Sequence, residues 1–325
     1  MKIRVYLFTL CWLAAAPASA LDCARPAEIA APLDGPLRDL ERVEDYRVTS
    51  QSCRRPGSPS MNAIRAFRVE GEDFLLAVDP DKLTTRLERV ACWTCAPETG
   101  TNHYLESVAH YAALPGRSTG AGSLDNAGLT RASQGGGAFL TGDLCPSHLP
   151  LERGFLQSLE QPGAATPVAL SISGIWLERH ADDFQWLRRE KAEGRLAITF
   201  VNHSYTHPYL RSRPEDENFL LLPGFDRESE VLDLERLLIA NGEVPSVFFR
   251  FPGLISDPEF MEEMRRFHLI ALGAESWLAN HAVASPGGVL LIHLNGNEPF
   301  GLNVYDRLRR GGRLPMPLRP LNEAP

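Results

Sequence analysis

Two histidines near the middle of the chain stand four residues apart, in Asn202-His203-Ser204-Tyr205-Thr206-His207-Pro208. That spacing predicts both imidazoles on one side of a helical turn. Two neutral imidazoles and a carboxylate, with positions left open for water, form a recurrent catalytic metal arrangement. Two solvated surface histidines would look the same, so the argument rests on where the pair sits. It follows directly on 196–201, an apolar run that reads as a β-strand. Other short apolar runs end in equally polar residues. Gly142-Asp143-Leu144-Cys145-Pro146-Ser147 follows 138–141, and Arg250-Phe251-Pro252-Gly253 follows 247–249. Ala274-Glu275-Ser276-Trp277 follows 269–272, and Leu291-Ile292-His293 closes 289–293.

These runs, with a further one at 167–172, alternate with stretches predicted helical at 151–159, 175–191, 227–239 and 258–267. Short apolar strands between amphipathic helices mean a parallel sheet buried on both faces. No dinucleotide-binding glycine fingerprint is present, so the expected fold class is α/β, a barrel or distorted (β/α) barrel. In such folds the active site forms at the carboxyl ends of the strands, where the polar residues above fall.

Residues 21–115 read as a small mixed α+β region. Strands are predicted at 63–69 and 74–78, joined by a turn at Gly71-Glu72-Asp73, with a helix at 104–114. Nothing there assembles into a catalytic set, and His103 and His110 read as surface or packing residues. Residues 116–137 carry seven glycines among small polar residues and are expected to be a linker or surface loop, with the catalytic domain at 138–325. His148 and His180 read as surface residues.

The N-terminus looks like an export signal. Lys2 and Arg4 precede an apolar run at 6–16, and Pro17-Ala18-Ser19-Ala20 offers small residues for cleavage near Ala20. The run is short for a membrane span and Asp22 follows closely, so residues 1–20 predict a periplasmic or secreted protein without a stable membrane anchor. Asp22 also argues against Cys23 as a lipid attachment point. The whole chain of 325 residues carries a formal charge of -8, and loss of Lys2 and Arg4 makes it more acidic still. An acidic protein without a basic face is poorly suited to nucleic acid. Of the six cysteines, Cys11 lies in the signal. The remaining five leave one unpaired, and the simplest oxidised arrangement is Cys23–Cys53 with Cys92–Cys95. Cys92-Trp93-Thr94-Cys95 also has the spacing of a redox motif, but the strand-to-helix context such a motif needs is missing.

The Asn202–Pro208 block resembles the N-H-S-x-x-H-P signature of polysaccharide deacetylases, the NodB-homology or carbohydrate esterase family 4 group. The resemblance spans roughly residues 136–300. Leu140-Thr141-Gly142-Asp143-Leu144-Cys145-Pro146 lies where that family has L-T-F-D-D-G-P, Arg250-Phe251-Pro252-Gly253 partly matches R-x-P-x-G, and Leu291-Ile292-His293 matches L-x-H. The resemblance implies a distorted barrel of the NodB type that removes acetyl groups from amino-sugar polymers. It implies His203 and His207 as metal ligands, Asp143 as general base and His293 as general acid. The physics agrees with those roles. A metal lowers the pKa of bound water, a carboxylate takes a proton, and a protonated imidazole helps an amine leave. Arg250 beside Asp143 would keep it ionised. On the same reading Pro252, Trp277 and Tyr205 line the sugar, although Trp277 is equally well read as core packing.

Two departures stand out. The family's metal-binding second aspartate is Leu144 here, which cannot ligate, so Asp143 is expected to move inward as the third ligand. Cys145 stands where the family has glycine; a buried free thiol or a bridge is expected there over a metal ligand. The leading expectation is a metal-dependent deacetylase of an N-acetylated cell-envelope or extracellular polysaccharide, with zinc as the default metal. The alternatives are a NodB-fold carbohydrate-binding protein that has lost turnover, and thiol–disulfide exchange through Cys92 and Cys95.

Overall fold

The computed structural model describes residues 22–119, 122–280 and 283–325; the expected signal at 1–20 lies outside them. The first part of the chain forms a five-stranded antiparallel sheet ordered β4-β3-β2-β1-β5. Its strands are β1 (Glu44–Arg54), β2 (Met61–Val69), β3 (Glu72–Val78), β4 (Thr85–Arg89) and β5 (Thr94–Pro97). The β2–β3 turn falls on Glu70 and Gly71, both with positive φ. Helix α1 (His103–Ala112) follows, capped by the Asn102 side chain, which accepts from the Leu105 amide.

The disulfides differ from the expected pairing. Cys23 is bonded to Cys92 and Cys53 to Cys95. The register explains the second bridge: β1 and β5 run antiparallel with Cys53 directly opposite Cys95, so cross-strand neighbours pair instead of sequence neighbours. Cys92 and Cys95 are each committed to a different partner, which removes the local staple and the basis for a dithiol motif. Cys145 is free.

The glycine-rich stretch is not a free spacer. It carries the short strands β6 (Arg117–Ser118) and β7 (Leu124–Asp125), then runs along the second sheet. The Leu129 amide donates to the Ala271 carbonyl (2.8 Å), the Gly273 amide to the Leu129 carbonyl (2.9 Å), and the Val289 amide to the Thr130 carbonyl (2.9 Å). Gly128, at φ +90°, is pressed against the backbone of Ala271, where a Cβ would come within 2.2 Å of its oxygen.

The remainder alternates strand and helix: β8 (Phe139–Leu144), α2 (Arg153–Leu159), β9 (Thr166–Ile172), α3 (Gly174–Arg179), α4 (Ala181–Ala192), β10 (Leu196–Asn202) and α5 (Arg227–Ala240). Then come β11 (Phe248–Phe249), β12 (Ile255–Ser256), α6 (Pro258–Arg266), β13 (Ile270–Ala271), β14 (Ser276–Trp277), β15 (Val289–His293) and α7 (Pro299–Arg310). β12 pairs with β7. The other strands form a curled parallel half-barrel ordered β13-β11-β10-β9-β8-β15-β14. This is the expected α/β architecture, with β8 buried along its whole length. Two details differ from expectation. The single helix over 175–191 is split at His180, whose φ and ψ of -119° and 44° are not helical, and α7 had no clear signal. Among the described residues no helix is long and apolar enough to cross a membrane.

One apolar cluster joins the first sheet to the half-barrel, bringing Ile64, Phe67 and Leu76 together with Val201, Ile270 and Val289. A buried ion pair crosses the same boundary. Arg65 of β2 grips Glu235 of α5 through Nε–Oε2 (2.7 Å) and Nη2–Oε1 (2.9 Å), both side chains fully buried.

Candidate functional site

The site begins with the alternation of β8. In a strand successive side chains point to opposite faces. Leu140 and Leu144 therefore enter the apolar cluster beneath the helices, while Thr141, Asp143 and, just past the strand, Cys145 face the carboxyl end of the half-barrel. Leu144 occupies the aspartate position of the resembled family, yet it is a fully buried core side chain. Cys145 presents its sulfur where Leu144 cannot present anything.

Arg250, next after β11, reaches across this floor. Its Nη1 donates to Asp143 Oδ1 (2.8 Å) and to Thr141 Oγ1 (2.7 Å), and its Nη2 donates to the Gly273 carbonyl (3.0 Å). Burial pushes the Asp143 carboxyl up, but the Arg250 guanidinium together with His203 and His293 more than offsets it and holds the group below the usual carboxylate range.

The histidine pair stands at the end of β10. Residues 203–207 are not helical, contrary to the spacing argument. The chain makes a tight turn in which Ser204 (φ 63°) and His207 (φ 48°) both adopt the left-handed region, costly for residues with a Cβ. Side chains brace the turn. Asn202 Oδ1 accepts from the Ser204 amide (3.0 Å), Ser204 Oγ from the His207 amide (3.1 Å), and Glu230 from the Thr206 amide (2.9 Å). The result is the arrangement the spacing was meant to supply, with the two rings in edge contact at 4.7 Å between centroids. His203 Nδ1 is hydrogen-bonded to the Arg250 carbonyl (2.8 Å), which directs Nε2 toward Cys145 Sγ (3.5 Å) and Asp143 Oδ2 (3.8 Å). One donor atom from each of Cys145, His203 and His207 lies within 4.8 Å of the other two. His207 Nε2 is buried with no hydrogen-bond partner. A buried imidazole nitrogen without a partner, beside a thiol and a second imidazole, suits a divalent transition metal.

His293 closes β15, paired in register with Asp143 of β8. Its Nδ1 lies 2.7 Å from Glu298 Oε2, an ion pair and not an aligned hydrogen bond. Burial would push this imidazole down, but Cys145 and Glu298 more than offset it and hold it well above its usual value. Trp277 donates its indole N–H to the same Glu298 oxygen (2.8 Å), and its ring lies 5.5 Å from that of His293. Trp277 is thus half-buried at the site's rim, where it lines a cleft of about 840 Å³ shared with Gly253, Ala274, Asn126 and the carboxylates of Glu215 and Asp216. Tyr205 bonds Glu178 (2.6 Å) and packs over Gly174, while Pro252 is buried and does not line the cleft. His180 is half-buried, stacked on Trp176 and bonded to the Ser147 carbonyl, and so is not the surface residue expected.

The structure brings Asp143, Arg250, His203, His207 and His293 together at one end of the sheet, with Trp277 beside them. Cys145, expected as a buried free thiol or a bridge over a metal ligand, is a free and half-buried thiol beside both histidines. One neighbour, Glu298, was not anticipated. Glu298 lies five residues beyond His293, past Gly296, and no local pattern marks it.

No protein-family model matches the chain. Similar solved structures include a family 4 carbohydrate esterase from Bacillus anthracis, at 16% identity and a TM-score of 0.44, covering 70% of this chain and 93% of that one. A chitin deacetylase from the fungus Colletotrichum lindemuthianum shares 17% identity at a TM-score of 0.42, over 58% of this chain and 88% of that one. A family 4 pseudoenzyme from Bacillus anthracis, BA3943, shares 16% identity at a TM-score of 0.38, over 62% and 69%.

Proposed function

We propose that the protein is a metal-dependent hydrolase that removes acetyl groups from an N-acetylated polysaccharide outside the cytoplasm. The observation that carries this reading is the meeting of three pairs at one end of the parallel sheet: Asp143 with Arg250, His203 with His207, and His293 with Glu298. The first offers a carboxylate locked in its ionised form, the second a metal seat, and the third a protonated imidazole. Amide hydrolysis needs those three things. The resemblance of the Asn202–Pro208 block to the polysaccharide deacetylase signature supports the same choice.

His203 and His207 would hold the metal. A divalent metal at such a site supplies a nucleophile from water at neutral pH and polarises a carbonyl. Asp143, kept ionised beside Arg250, would take a proton from the water. His293, held protonated against Glu298, gives a proton to the departing amine, which otherwise leaves poorly. Trp277 offers an aromatic wall and the cleft beyond it an array of carboxylates for sugar hydroxyls and for the amine product.

Acetate release from acetylated chito-oligosaccharides and peptidoglycan fragments, assayed with the chelated and the zinc-reloaded protein, tests this. Zinc-dependent release that His293→Ala abolishes supports it; absence of release from every acetylated glycan overturns it. The burial of Leu144 in the core gives weight to a second reading, glycan binding without turnover, for which retention on the same glycans without acetate release is the expected result.

A further inference from the structure

We infer that Cys145, as thiolate, is the third protein ligand of the metal, making a Cys-His-His centre in which Asp143 takes no part. The inference rests on the metal-dependent reading above and assigns the one donor that reading left open.

Geometry separates the two candidates. Zinc bound to sulfur at about 2.3 Å and to imidazole nitrogen at about 2.0–2.1 Å in tetrahedral array places those donors roughly 3.5 Å apart. Cys145 Sγ and His203 Nε2 already stand at 3.5 Å, and a His207 nitrogen completes a set within 4.8 Å. Asp143 has its Oδ1 engaged by Arg250 at 2.8 Å and its Oδ2 3.8 Å from His203 Nε2. Drawing Asp143 inward would pull it from a buried guanidinium, a costly separation. Drawing Cys145 inward separates no ion pair with a buried guanidinium and disturbs only thiol contacts with neighbouring imidazoles.

The backbone favours the same donor. The Cys145 carbonyl accepts from Asn295 Nδ2 (3.0 Å), and Ser147 Oγ donates to the Asn295 carbonyl (2.9 Å), so the loop carrying the thiol is tied to the loop after β15. The thiol is the only unpaired one among the described residues, and two imidazoles lie against it in a half-buried pocket. Thiolate with imidazole is a donor set for zinc and for softer metals, and it disfavours magnesium and calcium. Three protein ligands leave the fourth position for water. Asp143 then stays free for its proton, so the loss of one carboxylate at position 144 does not force the other to serve twice.

The experiment replaces the metal of the whole chain with cobalt(II) and reads the near-ultraviolet thiolate-to-cobalt charge-transfer band, with no substrate present. The wild type is expected to show the band, and bound zinc is expected to protect Cys145 from alkylation in a peptide map. Cys145→Ser should lose the band and weaken zinc binding by at least about tenfold. Asp143→Asn should keep both. Cobalt bound at one equivalent without the band, or a band and zinc affinity that vanish in Asp143→Asn but persist in Cys145→Ser, overturns the inference. Failure to bind any divalent metal also overturns it. A thiolate band in a protein that releases no acetate leaves the ligand assignment standing and sinks the proposed activity instead; acetate release without the band does the reverse.

Discussion

One oxygen of the Glu298 carboxylate, Oε2, lies 2.7 Å from Nδ1 of His293 and also accepts the indole N–H of Trp277 (2.8 Å). Against the downward push of burial, Cys145 and Glu298 hold this imidazole above its usual value, and the matching counterpart is Glu298, whose carboxyl is held below its usual range by His293 despite the upward push of burial. A general acid works only while protonated, so activity is present below the raised His293 pKa and is lost as pH rises through it. Glu298→Gln removes the negative charge and lowers that pKa. The alkaline limb of the kcat/KM profile should move to lower pH, with roughly a 10- to 100-fold loss at the wild-type optimum, as for other partners of catalytic groups. An unmoved limb would remove Glu298 from this role.

Asp143→Asn keeps the shape of the side chain and removes the charge. If Asp143 takes the proton of water, acetate release should fall by on the order of 10²–10⁴ while zinc stays bound. Equilibrium dialysis alongside the assay separates this from loss of metal. His207→Ala should do the opposite at the seat, lowering zinc occupancy along with activity.

Arg65 and Glu235 set the strength of the joint between the first sheet and the half-barrel. Every nitrogen of the guanidinium is engaged, donating to both Glu235 oxygens and to the Phe267 and Ile64 carbonyls, and Tyr46 donates to Glu235 as well (2.8 Å). Glu235→Ala leaves a buried cation without its partner, which should cost about 3–5 kcal/mol in urea unfolding. Replacing both residues with apolar ones of similar volume should recover much of that loss. A single-variant cost below 1 kcal/mol, roughly the worth of an exposed pair, would contradict the burial described.

The two bridges give a covalent test of the first sheet. A non-reducing peptide map should recover Cys23 with Cys92 and Cys53 with Cys95, and no peptide closed between Cys92 and Cys95. Opening either bridge with serine pairs should cost about 2–4 kcal/mol, because each closes a long loop.

Much of the half-barrel was legible because strands buried on both faces appear as unbroken apolar runs, and because the residues after each run were the ones the fold would place at the site. Asp143, His203, His207, Arg250 and His293 were reached by that rule. What stayed hidden depended on relations between distant segments. The Cys53–Cys95 bridge follows from the register of β1 against β5, which neither strand encodes alone. The meeting of His203 and His207 is due to left-handed backbone at Ser204 and His207, braced by Glu230 of α5, and not to helical spacing. Glu298 reaches His293 from the start of α7, a helix with no clear sequence signal.

The stretch at 116–137, which looked like a place to cut the chain, is where it should not be cut. Leu129 supplies both the donor and the acceptor that meet the outer side of β13, the last strand of the parallel sheet. A fragment starting at Ala138 would leave that side open, with unpaired amides and carbonyls next to the newly bared apolar surface of Ile270 and Val289. Such a rim is a template for strand addition by another copy. The fragment is therefore expected to self-associate in gel filtration while a version retaining the glycine-rich segment and the first sheet stays monodisperse, so a soluble minimal unit has to be trimmed elsewhere.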